Sequence, residues 1–351
     1  MKIFAELVGR GHEGIYFASD AASGLQAIIG VHSTVLGPAL GGVRIRDYAS
    51  SDEALLDVLR LSEGMTYKAA AASLPLGGGK AVIVGDPTRV KTEALLEAYG
   101  RAVEQLGGTY VTAEDVGTTV EDLLVVATQT EHVTGLPVSD GGSGDPSPAT
   151  ARGVRAAMRA TSDHVWGTTD LGNRRVAIQG VGKVGIELLA LLEQEGCTVS
   201  VADVDEERAE TAALRYGAQL VHADEILSQP CDILAPCALG GVLNDRTIPE
   251  LRCAAIVGSA NNQLRGTGAA ERIADAGIAY TPDFIANAGG IINIAEELRP
   301  MGYSGDRARA EVERIFDTTS HILARAKHQG ITPRTAAVAF AEERLNAQGA
   351  G

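Results

Sequence analysis

Apolar positions recur along this chain with two different periods, and the arrangement of those periods changes partway. Over residues 51–65, Ala54, Leu55, Val58, Leu59 and Leu61 fall at helical spacing, which predicts an amphipathic helix with Ser51 or Asp52 as its N-cap. Residues 91–106 repeat that pattern through Leu95, Leu96, Ala98, Val103 and Leu106. Short apolar runs at 81–84, stopped by Gly85-Asp86-Pro87, and at 109–113 predict buried strands. Past residue 174 the chain alternates. Strands are predicted at 175–179, 198–202, 232–235 and 254–257, with helices at 183–196 and 205–216. Strand-helix alternation of this kind implies parallel pairing and a doubly wound sheet. Two long helical patterns follow, at 306–327 and 332–346.

The two halves meet at a change of composition. Residues 139–148 read SDGGSGDPSP, the richest Gly/Ser/Pro stretch of the chain, so a hinge is expected over 136–148. A length of 351 residues suits two domains. The net charge of −15 argues against nucleic acid or an anionic membrane as partner. No apolar run approaches the length of a membrane span, and the N-terminus shows no signal-peptide core. Cys197, Cys231, Cys237 and Cys253 form no C-x-x-C pair, so neither a disulfide framework nor a zinc site is expected. Reduced thiols and a cytoplasmic location are the expectation, with no metal. Glycine is the surplus to be explained, at 42 residues.

One glycine cluster has a chemical setting. Gly180, Gly182 and Gly185 form G-x-G-x-x-G, a pattern that composition alone would produce roughly 0.6 times in such a chain. Gly9, Gly11 and Gly14 match it too, but no helix pattern follows them, so they read as a turn. The Gly180 copy sits between a predicted strand and a predicted helix. Asp203 ends the next strand, where an acid binds the ribose of a dinucleotide and repels a 2′-phosphate, which favours NAD over NADP.

A second cluster, Gly77-Gly78-Gly79-Lys80, fails as a phosphate loop. Leu74 stands where glycine is needed, and Ala81 where Ser or Thr is needed. It reads instead as a loop, either needing positive φ or bringing amides and a lysine to a small ligand. Lys68 and Lys80 are the only ionisable side chains between Glu63 and Asp86 apart from Tyr67, so partial burial is expected. A lysine buried beside another ammonium becomes usable as a base. Asp115, just after the 109–113 strand, is the candidate for passing protons near them.

The stretches GPALGG (37–42), MTYKAAAASLPLGGGKAVIVGDP (65–87), TAEDVGTT (112–119), QGVGKVG (179–185), APCALGG (235–241), SANNQ (259–263) and PDFIANAGGIINIAEEL (282–298) together resemble the amino-acid dehydrogenase family acting on glutamate, leucine, valine and phenylalanine. The resemblance runs from about Phe4 to Leu345 and is nearest the leucine type. It implies an α/β fold of two domains with the catalytic cleft between them. Residues 1–135 plus 331–351 would form the substrate and oligomerisation domain, and 149–330 the Rossmann-type NAD domain. It implies NAD-dependent, reversible deamination of an L-amino acid to the 2-oxo acid and ammonia. By the same resemblance Lys68 would hold the substrate carboxylate, Lys80 would activate water, and Asp115 would shuttle protons. The backbone at Gly41 and the Asn262 side chain would complete the grip, and Leu40, Ala113, Ile291 and Ile294 would line an apolar side-chain pocket suited to leucine, valine or isoleucine. Gly180, Val181, Gly182, Lys183, Val184, Gly185 and Asp203 would bind the dinucleotide, with Thr150, Ala238 and Asn261 near the nicotinamide. Homo-oligomers are implied, an octamer ahead of a dimer. Phenylalanine or tryptophan as substrate, and a non-catalytic NAD-binding regulator, are the alternative readings.

Overall fold

Period-2 alternation builds the first sheet of the computed structural model, which describes residues 3–349. Its strands are β1 (Gly14–Asp20), β2 (Leu25–Ser33), β3 (Ala39–Arg46), β4 (Gly77–Val84) and β5 (Tyr110–Glu114), in the order β1-β2-β4-β3-β5. β2 runs antiparallel to β1 and β4, while β3, β4 and β5 are mutually parallel. Ile28 and Val82 pair on one face and pack against Ala54, Leu55, Val58 and Leu59 of the helix Ser51–Ala71. Ala27, Ile29, Ala81 and Ile83 point the other way, into a core with Leu95, Tyr99 and Val103 of the helix Glu93–Glu104 and with Leu123 and Val126 of Val120–Ala127. β2 and β4 therefore have two buried faces, while the edge strand β1 has none of its residues fully buried.

The helix Ser51–Ala71 differs from expectation at both ends. Its N-cap is Ser50, whose hydroxyl accepts from the Glu53 N–H at 3.2 Å. It runs six residues past Met65, because Ala69, Ala70 and Ala71 continue the buried stripe through small side chains.

The larger correction concerns the triple glycine. Gly77, Gly78 and Gly79 lie inside β4 rather than in a loop, and none has positive φ. Crowding is what demands glycine here. A Cβ on Gly78 would lie 2.1 Å from the Thr66 backbone nitrogen, and one on Gly77 would lie 1.9 Å from the Ser33 carbonyl oxygen. Facing strand β3 has the same constraint: a Cβ on Gly41 would sit 1.8 Å from the Gly79 carbonyl oxygen. Strand and helix approach more closely than side chains permit.

The second sheet comprises β6 (Arg175–Gln179), β7 (Thr198–Ala202), β8 (Gln219–Leu220), β9 (Ile233–Pro236), β10 (Ala255–Ile256) and β11 (Ala279–Tyr280), ordered β11-β10-β9-β6-β7-β8. Its pairings are parallel. The helices Lys183–Gln194 and Glu206–Tyr216 connect β6 to β7 and β7 to β8. The order reverses at β6, which makes the carboxyl end of that strand a topological switch point. The helix Ser147–Trp166 has no counterpart in the sequence pattern, because its buried side is largely Ala, Gly, Ser and Thr. The helical pattern at 306–327 is split at Arg314 into Gly305–Glu313 and Ile315–Gln329.

The chain divides into two compact units. One comprises Met1–Asp145, Ile294–Gly305 and Ala341–Gly351, the other Pro146–Asn293 and Asp306–Phe340. The division falls late in the expected hinge, and Ser147 and Pro148 already belong to a helix. The first unit also takes 294–305, which the resemblance places in the second, and regains the chain at Ala341 rather than 331. Arg344 ties this return down by donating to the carbonyls of Ala70 at 3.1 Å and Leu74 at 3.0 Å. Glu297 fastens the linker: its carboxylate accepts the N–H groups of Gly135 at 3.0 Å and Ser143 at 2.9 Å.

Crowding at β4 predicts opposite responses to one substitution. Gly78→Ala should lower the unfolding free energy by about 1–3 kcal/mol or more through overpacking. Gly64→Ala, exposed in the Ser51–Ala71 helix with nothing within 4 Å of a new Cβ, should raise it by about 0.5–1 kcal/mol. Urea unfolding of the two variants checks the pair.

Candidate active site

Lys80 is 5 % exposed, on an inner strand. Register places Leu40 opposite Gly78 and Ala113 opposite Gly42, so Leu40, Gly42, Lys80 and Ala113 share the sheet face covered by the Ser51–Ala71 helix. Leu40 and Ala113 are buried, and Lys68 is half-buried in the last turn of that helix. Thr66, two residues before Lys68, packs onto Gly78, which brings the end of the helix onto the strand that carries Lys80. The carbonyl of Gly41 accepts the hydroxyl of buried Tyr110.

Asp115 follows β5 in a tight turn. Its N–H donates to the Thr118 hydroxyl at 2.9 Å, and its carbonyl accepts the Thr118 N–H at 3.0 Å. Gly117 adopts φ +87°, and a Cβ there would lie 2.3 Å from the Ile45 carbonyl oxygen. Gly42 gives the carboxylate its room, since a Cβ on it would lie 2.9 Å from the Asp115 Cβ. So held, Asp115 Oδ2 lies 2.9 Å from Lys80 Nζ and accepts Arg44 Nε at 2.9 Å. The other arm of Arg44 donates to Asp57 Oδ2 at 3.0 Å, and the Tyr48 hydroxyl donates to the same oxygen at 2.8 Å. Burial works against a charge on Asp115, but Lys80 and then Arg44 outweigh it and hold the carboxyl below the ordinary carboxylate range. The arrangement can exchange a proton between a lysine and a carboxylate within one hydrogen bond.

In the second unit the expected dinucleotide residues come together at the switch point. Gly180 has φ +94°, and a Cβ on it would strike Ala238 at 2.7 Å. Gly185 lets helix and strand meet, because a Cβ there would sit 2.0 Å from the Gly180 carbonyl oxygen. Gly182 is the N-cap of the Lys183–Gln194 helix, makes no side-chain cap bond, and has open space around it. An open helix start, with the positive end of the helix dipole facing outward, suits a pyrophosphate. Lys183 is exposed at the first helical position, and Val184 is half-buried behind it. Asp203, the acid expected at a ribose, bonds within the protein. Its Oδ2 accepts the Val181 N–H at 2.8 Å and its Oδ1 the Asp205 N–H at 3.0 Å, so it also fixes the glycine turn. These residues fit a dinucleotide.

The remaining expected residues make local contacts of their own. A Cβ on Gly240 would lie 2.4 Å from the Asn261 carbonyl oxygen, and the Gly241 N–H donates to the Asn262 carbonyl at 2.8 Å. Asn261 and Asn262 are exposed, and Asn262 adopts φ +52°. Buried Asn287 orients Asn261 by donating to its side-chain oxygen at 2.8 Å. Thr150 Oγ1 lies 2.7 Å from the position of a Cβ on Gly290, the residue before Ile291. Ile291 and Ile294 are one turn apart on the helix Gly289–Ala295. The division of units falls between them, after Asn293.

Sequence reasoning passed over Arg44, Asp57, Tyr48 and Asn287. Arg44 carried no local signal, because its partners Asp57 and Asp115 lie 13 and 71 residues away and Arg46 ends the same strand. No group of His, Cys, Asp and Glu among the described residues could hold a metal ion, and no described helix is long and apolar enough to cross a membrane.

Comparison with known proteins gives a consistent picture. Residues 14–132 match the family described as Glu/Leu/Phe/Val dehydrogenase, dimerisation domain. Residues 141–207 and 200–349 match Glutamate/Leucine/Phenylalanine/Valine dehydrogenase. The chain is 48% identical to a leucine dehydrogenase of Thermoactinomyces intermedius, over 98% of this chain and 94% of the relative. It is 49% identical to a valine dehydrogenase of Streptomyces virginiae, over 96% of this chain and 94% of the relative. The crystal structure of L-tryptophan dehydrogenase from Nostoc punctiforme superposes with a TM-score of 0.86 at 41% identity, covering 99% of this chain and all of that one.

The depressed Asp115 carboxyl sets a pH dependence. Its folded-state value lies below its unfolded one, so the stabilisation is complete above about pH 4 and is lost as pH falls through the folded value. Asp115→Asn should therefore be less stable than the parent at pH 7, and the gap should close below about pH 4. Urea unfolding across that range checks the sign.

Proposed function

The chain belongs to the glutamate/leucine/phenylalanine/valine dehydrogenase family, and on that premise we propose that it oxidatively deaminates branched-chain L-amino acids, reversibly, to the 2-oxo acid and ammonia. The observation that carries this reading is the Lys80–Asp115 pair, 2.9 Å apart on an apolar sheet face. NAD, when bound, supplies the acceptor for the α-hydrogen as hydride. Gly180, Val181, Gly182, Lys183, Val184 and Gly185 are assigned to its pyrophosphate and Asp203 to its ribose, with Thr150, Ala238 and Asn261 at its nicotinamide end.

The chain's own residues handle the substrate. Lys68 is assigned to the carboxylate, with the Gly41 backbone and Asn262 completing the grip. Asp115, as an anion, accepts a proton from the substrate ammonium and later returns one to the departing amine. Lys80, after releasing its ammonium proton to solvent, holds as the neutral amine the water that attacks the imine carbon and takes up that water's proton. Leu40, Ala113, Ile291 and Ile294 are assigned to the side-chain pocket. All four are apolar, which suits a branched aliphatic side chain and offers glutamate no partner. The match to a dimerisation domain supports a homo-oligomer. An octamer is our first expectation for its size, a dimer the second, and a cytoplasmic location goes with both.

A turnover panel tests the reading. NADH formation should be fastest with leucine, valine and isoleucine, and slow when NADP replaces NAD. A clear preference for glutamate, phenylalanine or tryptophan overturns the substrate assignment. Lys80→Ala should reduce deamination by at least about 10²–10⁴-fold while NAD binding, followed by fluorescence, persists.

A further inference from the structure

Asp115 meets two cations on the same oxygen, and the two are chemically unlike. Lys80 Nζ and Arg44 Nε each lie 2.9 Å from Asp115 Oδ2. An ammonium can give up its proton during a reaction, whereas a guanidinium stays charged throughout. Arg44 is also fixed at both ends of its fork. Nε goes to Asp115 and Nη1 goes to Asp57 at 3.0 Å, on the Ser51–Ala71 helix. Asp57 is in turn held by the Tyr48 hydroxyl at 2.8 Å. Arg44 is 19% exposed at its side chain and Asp57 20%, so the bridge is largely withdrawn from water. A bridge of this length serves poorly as a simple surface ion pair, because it ties a strand, a helix and the turn after β5 to one planar group.

We propose that Arg44 is a positioning residue for proton transfer: spanning Asp115 and Asp57, it keeps the Asp115 carboxylate anionic and turned onto Lys80, so that Asp115 starts each turnover as a proton acceptor. This rests on the deamination reading above. Lys80 cannot do this alone, since its charge varies in the cycle assigned to it. The charged groups around Asp115 are Lys80 from β4, Arg44 from β3 and, behind Arg44, Asp57 from the helix. The Tyr110 hydroxyl on β5 is committed to the Gly41 carbonyl. Removing the fixed cation leaves Asp115 with the variable one. Burial, which opposes its charge, then counts for more.

The test measures Asp115 directly. Protein labelled with ¹³C at the aspartate carboxyl is titrated by NMR without substrate, with Asp115→Asn identifying the signal. Arg44→Met should raise the midpoint of that signal by about 1 pH unit or more. It should move the acid limb of kcat/KM for leucine by the same amount and lower kcat, with NAD affinity unchanged. Arg44→Lys, whose single ammonium reaches one carboxylate only, should shift the midpoint less and in the same direction. It decides the matter if the methionine variant does not fold. An unmoved midpoint and acid limb, with only thermal stability or kcat reduced, overturn the proposal and leave Arg44 a structural ion pair. Absence of amino-acid oxidation by the parent protein would sink the functional reading instead, while the carboxyl titration would still judge Arg44.

Discussion

A lysine on an inner strand, 5 % exposed, is the constraint around which the first unit is organised. An ammonium so placed needs a carboxylate in direct contact, and that carboxylate needs space. Gly42 provides the space on β3, and the Asp115–Thr118 turn aims the carboxylate. Gly77, Gly78 and Gly79 draw the covering helix and the neighbouring strand onto β4, which seals the pair from most of the solvent. Remove any of these and the charge is buried without its partner or exposed to water. Gly42, Gly77, Gly78, Gly79 and Gly117 therefore serve one electrostatic requirement met by close backbone packing.

In the second unit the constraint is the same in kind and opposite in sign. There the N-terminus of the Lys183–Gln194 helix is open, with no side-chain cap bond at Gly182 and free space around that glycine. Asp203 accepts the Val181 N–H of that turn, so the acid expected at a ribose also holds the loop expected at the phosphates.

Much of this was legible from residue order alone, and unevenly so. Strands β6 and β7 came out at their observed bounds, because a buried parallel strand is an unbroken apolar run with a glycine or a charge at its end. Lys68 and Lys80 stood out because charge is rare around them, and Asp115 because it follows a buried strand. The triple glycine was misread, since its reason is the nearness of Thr66, Ser33 and Tyr110, which are distant in sequence. The helix Ser147–Trp166 was invisible because alanine buries well without marking a period. Arg44 escaped for a related cause: its meaning lies in Asp115 and Asp57, 71 and 13 residues away. Contacts made across the fold leave no local trace.

The carboxylate of Glu297 has a topological consequence. By accepting the N–H groups of both Gly135 and Ser143, it closes the intervening stretch into a ring whose clasp comes from a remote part of the chain. A single cut by a protease inside that ring would not release the ends. The connection would persist as a noncovalent splice, and the nicked chain would retain the path of the intact one.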